Sequence, residues 1–103
     1  MSIQRQRGNT AERAIAARLG GQRVGQYGGE DVTTSVFSIE VKSRESVPKW
    51  LTHAIEQAEA HAPDGKLPLA VIHTLGQRHD DDLVVLRLSA FEEWFGETEE
   101  KQA

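Results

Sequence analysis

The chain has 103 residues, of which 38% are hydrophobic and 27% charged, with a net charge of −4 and no cysteine; that size fits one compact domain and leaves no room for a second. Disulfides and cysteine-bearing zinc sites are excluded, which suits a reducing compartment, and the apolar runs are too short for a membrane span. A negative total argues against a polyanionic partner only until it is resolved along the chain: residues 1–25 hold five arginines against Glu12, whereas residues 79–103 hold eight acids against Arg87 and Lys101. One end is basic and the other acidic, so a phosphate-facing surface fits the first and a solvating one the second.

Residues 1–8 are polar, arginine-rich and without periodicity, which predicts a flexible basic arm. Met1-Ser2-Ile3-Gln4-Arg5 lacks the apolar centre of a signal peptide, so the protein is expected to stay in the cytoplasm. From Asn9 to Leu19, Ala11, Ala14, Ile15 and Leu19 recur at helical spacing, Asn9 or Thr10 can cap the start, and Gly20-Gly21 supplies a left-handed stop. Arg23 to Tyr27 reads as a first strand, broken by Gly28-Gly29, and Asp31 to Thr33 with Val36 to Ser43 reads as a hairpin turning near Thr34-Ser35.

Ser46 and Pro48 open a second helix, in which Val47, Leu51, Ile55, Ala58 and Ala62 form one apolar stripe before Pro63-Asp64-Gly65 ends it. Leu69 to Ile72 and Leu83 to Leu86 are nearly unbroken apolar runs, the pattern of interior strands covered on both faces. A short helix around Phe91, Trp94 and Phe95 closes a single domain over residues 9–96, and residues 97–103 form a frayed acidic tail. This order implies an α/β sandwich around a central mixed sheet of about five strands flanked by helices.

Within Phe37-Ser38-Ile39-Glu40-Val41-Lys42-Ser43 the alternation is clean, and it sets Glu40 and Lys42 on one face, roughly 6 to 7 Å apart. Alone, an acid-x-Lys triplet is a common accident, and a solvated face bearing an ion pair accounts for it. Asp31 sharpens the signal, because the hairpin brings it across from Glu40. Two neighbouring carboxylates repel unless a cation lies between them, and a hard divalent ion such as magnesium suits oxygen donors. Lys42 beside that ion could orient or deprotonate an attacking water and balance charge in the transition state.

Asp31 followed by Glu40-Val41-Lys42, with Glu30 in the usual proline position, resembles the signature of the PD-(D/E)xK nuclease superfamily. The opening Arg7-Gly8-Asn9-Thr10-Ala11-Glu12-Arg13 is similar to the start of archaeal-type Holliday junction resolvases, and Gln57 falls on the helix after the signature strand, where these enzymes often carry a glutamine. The resemblance spans about Arg7 to Ile72 and implies a restriction-endonuclease-like fold. It also implies a metal site: Asp31, Glu40 and the Val41 carbonyl hold Mg2+, with Mn2+ able to substitute, and Glu12 acts through water or a second metal. Lys42 would serve the nucleophilic water, and Gln57 would position Lys42 or the phosphate. It further implies a homodimer resolving four-way junctions by paired symmetric nicks, with Arg5, Arg7 and Arg13 on phosphates, at the nucleoid or in a host's cytoplasm if phage-encoded. The chain is shorter and more acidic than typical cellular resolvases. A nickase or repair nuclease on other branched or duplex DNA, and a non-catalytic DNA-binding module, are the competing expectations.

Several residues have a plainer reading beside this one. Glu12 lies three residues after Asn9, as in a capping box, and Gln57 could be an ordinary amide bonded to a sheet edge. Glu30 could replace Asp31 if the bend after Gly29 is turned by one residue. His53, His61, His73 and His79 read as surface or edge histidines, and Asp80-Asp81-Asp82 as a solvated hairpin turn rather than a calcium loop. Trp50 and Tyr27 could stack on bases, although a tryptophan at a helix start is more often core or interface.

Overall fold

A computed structural model describes the backbone of residues 3–25 and 29–96, and side chains from Gly8 onward within those ranges. Tyr27, Gly28 and the expected tail of residues 97–103 lie outside the described residues, as do the side chains of Arg5 and Arg7. The protein is a small mixed α/β chain with three α-helices and two antiparallel sheets among the described residues. It divides into two compact units, Met1–Glu45 with Phe95–Ala103, and Ser46–Trp94.

In the first unit, helix α1 (Ile3–Leu19) packs against strands β1 (Gln22–Arg23) and β2 (Val32–Thr33), and β2 pairs in turn with β3 (Ser38–Ile39). The helix starts six residues before the expected Asn9, so Asn9 lies in its interior and cannot cap it. Its buried positions are Ala16 and Leu19, whereas Ala14 is exposed; with Val32, which is fully buried, they form the core of this unit. Gly20 adopts φ +68°, and the Gly21 N–H donates to the Ala16 carbonyl at 2.8 Å, which ends α1 in a Schellman stop. Gly21 has a second constraint, because a Cβ there would lie 2.7 Å from the Thr33 carbonyl oxygen. The helix can therefore sit close to β2 only with glycine at this corner.

The hairpin forms with a shorter second limb than the pattern suggests. Thr34 caps the turn: its N–H donates to the Phe37 carbonyl at 3.0 Å, and its hydroxyl accepts the N–H groups of Val36 and Phe37 at 3.0 and 2.8 Å. The turn thus centres on Ser35-Val36, one residue beyond the expected position. Val36 and Phe37 give their amides to a side chain, so regular pairing begins only at Ser38.

In the second unit, α2 (Lys49–His61) starts after Pro48 and ends at Ala62, close to the expected bounds. Its stripe is Leu51, Ile55, Ala58 and Ala62, with Ile55 buried, while Val47 and Trp50 are 57% and 58% exposed. Trp50 is thus not a core residue of this chain. Strands β4 (Ala70–Ile72) and β5 (Leu83–Val85) pair with each other, and α2 packs on β4. The expectation of interior strands is corrected here. Val71, Leu83 and Val84 are 57%, 64% and 57% exposed, and the five strands pair as a group of three and a group of two instead of one mixed sheet. Leu83 and Val84 are adjacent and so face opposite sides of β5, which means that neither side of that strand is fully covered, however apolar the run. Helix α3 (Leu88–Phe95) follows β5, and Arg87 before it donates from Nε and Nη2 to the Glu59 carboxylate at 3.0 and 3.3 Å.

Candidate functional site

Four of the residues expected at the site, Asp31, Glu40, Val41 and Lys42, belong to the β2–β3 hairpin or its continuation. Val32 pairs with Ile39 and Thr33 with Ser38, so the same register carried one step outward sets Asp31 opposite Glu40. The ladder itself bends at this step. The Asp31 N–H donates to the carbonyl of Ile39, the residue with which Val32 already pairs, at 2.9 Å, so two successive residues of one strand address a single partner, as in a β-bulge. The freed Asp31 carboxylate turns along the opposite chain, where its Oδ2 accepts the Val41 N–H at 2.8 Å.

Although regular pairing ends at Ile39, the side chains continue to alternate. Phe37, Ile39, Val41 and Ser43 are half-buried, and Ser38, Glu40 and Lys42 are exposed. Glu40 and Lys42 carry no hydrogen bond or ion pair to another described residue. Glu30 is oriented differently from Asp31. Its Oε2 accepts the Ser38 hydroxyl at 3.1 Å, and its own backbone N–H, followed by the Ser38 hydroxyl, holds its carboxyl below the usual range, with burial opposing and the Thr33 hydroxyl adding a lesser lowering. Asp31 is thus bonded to the backbone of the acid-x-Lys segment, and Glu30 to a side chain before it.

Glu12 lies on the packed side of α1, its side chain 18% exposed, and its Oε1 is 3.6 Å from Arg23 Nε. Arg23 also donates from Nη2 to Asn9 Oδ1 at 3.2 Å, so one guanidinium bridges both members of the supposed capping box. The capping role is corrected by this geometry. Arg13 is exposed on the same helix, and Arg5 and Arg7 lie on its first turns. Gln57 belongs to the second unit, where it is exposed on α2; its backbone carbonyl accepts the Nδ1–H of His61 at 2.8 Å. Its amide side chain bonds no described residue, which removes the sheet-edge role.

The second unit also holds a cluster that the sequence reading did not assemble. His73 Nδ1 lies 2.6 Å from Asp82 Oδ1, His79 Nδ1 lies 3.0 Å from Asp82 Oδ2, and the two imidazole centroids are 4.4 Å apart. Asp82 is not the solvated turn residue expected, since its side chain is only 13% exposed. The His73 and then the His79 hydrogen bonds hold its carboxyl below the ordinary range, with burial opposing. The sequence contained one faint signal, the His79-x-x-Asp82 spacing that a single helical turn brings together. His73 joins only because the chain reverses between β4 and β5 through Gly76, at φ +87°, and the 3-10 turn His79–Asp81.

No helix among the described residues is long and apolar enough to cross a membrane. Compared with protein-family models, with curated proteins and with solved structures, the chain matches none of them.

Proposed function

We propose that the chain is a magnesium-dependent, structure-selective DNA endonuclease of the PD-(D/E)xK type, with a restriction-endonuclease-like fold, acting as a homodimer on four-way junctions. The observation that carries the reading is the alternation over residues 37–43, which leaves the Glu40 carboxylate and the Lys42 ammonium exposed on one face with no described partner. A structural ion pair is the plain competitor, and the two side chains do not make one. The order of a helix, a three-stranded antiparallel meander with the triplet directly after its last strand, and a second helix agrees with the proposed fold.

The donor set suits a hard cation. Glu40, the Val41 carbonyl and the Asp31 oxygen not engaged by the Val41 N–H are the ligand types that magnesium and manganese take. When bound, the ion supplies Lewis-acid stabilisation of charge on the phosphate oxygens. Asp31 fixes the strand continuation by its bond to Val41. Lys42 holds the attacking water and balances negative charge as the bond to the leaving oxygen breaks. Within the same reading, Glu12 assists through water, and Arg5, Arg7 and Arg13 bind phosphates irrespective of sequence.

The test is incubation of the protein with a labelled immobile junction in magnesium or in chelator. Paired symmetric nicks are expected only with the metal, and Glu40→Ala or Lys42→Ala should slow cutting by about a hundredfold or more while junction binding persists. Equal cutting of a linear duplex at the same salt would remove the junction preference and leave a nickase or repair nuclease. Absence of metal-dependent cutting of any DNA by the parent protein would leave only a DNA-binding module.

A further inference from the structure

We propose that His73, His79 and Asp82 form a second cation site, for a borderline metal of the zinc class, at the tip of the β4–β5 hairpin. The three residues converge from two sides of one reversal, and a donor atom from each lies within 4.8 Å of the others. Both imidazoles direct the same ring atom, Nδ1, at the two oxygens of one carboxylate, at 2.6 and 3.0 Å. Without metal, these contacts are hydrogen bonds from Nδ1–H to Asp82. Metal uptake requires only that each neutral ring carry its proton on Nε2 instead, freeing the Nδ1 lone pair.

Zinc–ligand bonds of about 2.0–2.2 Å put tetrahedral donors roughly 3.4 Å apart; the two Nδ1–oxygen pairs are shorter than that and must each open by less than one ångström, and all three donors already lie within 4.8 Å of one another. His79, 83% exposed, has room to adjust, and Asp82 and His73 are more enclosed, at 13% and 32% exposed. Of the two neighbouring acids, Asp80 is turned to Arg78 at 3.3 Å. Imidazole nitrogens favour zinc, cobalt, nickel or copper over magnesium, so the site is chemically separate from the oxygen donors around Glu40. Three protein ligands leave a fourth position for water, the donor count of an open rather than a closed zinc site.

The experiment is titration of the full chelator-treated chain with Co2+, read by its visible d–d absorption, followed by displacement with Zn2+ and by thermal unfolding with and without Zn2+. Saturable uptake of one ion and a rise in melting temperature are expected. His73→Ala, His79→Ala and Asp82→Asn should each weaken uptake by at least about tenfold. Asp82→Asn keeps a carbonyl acceptor for an imidazole N–H, so its fold should survive. His53→Ala and His61→Ala should leave uptake unchanged. No saturable uptake by the parent, uptake unaffected by the first three substitutions, or uptake lost in either of the last two would each overturn the site.

Discussion

Val32 is the side chain on which the first unit closes, since it is fully buried beneath α1 and on the central strand of the three. Truncation there leaves a void that the short neighbouring strands can fill only by moving. Val32→Ala should lower the unfolding free energy by about 2 kcal/mol, measurable as a shift in urea midpoint at unchanged slope. A shift near zero would mean that α1 does not rest on this residue. Asp31, next to it, has a structural role, since its N–H and one carboxylate oxygen hold the bulge; under the proposed function its other oxygen would also take the metal. Loss of cutting in an Asp31 variant is therefore ambiguous between structure and chemistry, whereas Glu40 and Lys42, which bond to no described residue, give the cleaner comparison.

At the scale of elements, the corner between α1 and β1 is tightly constrained. Gly21→Ala would drive a methyl group against the Thr33 carbonyl, a backbone atom that cannot rotate away, and should cost about 1–3 kcal/mol by thermal or urea unfolding. Gly20-Gly21 was legible in the sequence as a helix stop, but its close approach to β2 was not, because that depends on where β2 lies. The exposed and half-buried positions of residues 37–43 were legible too, since two-residue periodicity survives even where ladder pairing does not. The length of β3 was not legible: the Thr34 hydroxyl and the Asp31 carboxylate take amides that a propensity pattern assigns to a neighbouring strand. The start of α1 was missed for a related reason. Gln4, Gln6 and the arginines are good helix formers without an apolar period, so a search for periodicity passes over them. The histidine cluster needed knowledge of a reversal that spacing alone does not provide.

For the molecule as a whole, the uneven charge fits the proposed substrate, with exposed Arg13 on α1 and acids concentrated after residue 79. Among the described residues the buried apolar ones are few: Ala16, Leu19 and Val32 in the first unit, and Ile55 in the second. The two units also differ in strand connectivity. β2 has a neighbour on each side, whereas β4 and β5 have one each among the described residues. Backbone amides on the outward edges of β4 and β5 should therefore swap deuterium for hydrogen within the dead time of a labelling experiment, while those around Val32 resist until the first unit opens. Peptides from β2 that label as fast as those from β4 and β5 would show that the three-stranded meander is no more durable than the two-stranded hairpin.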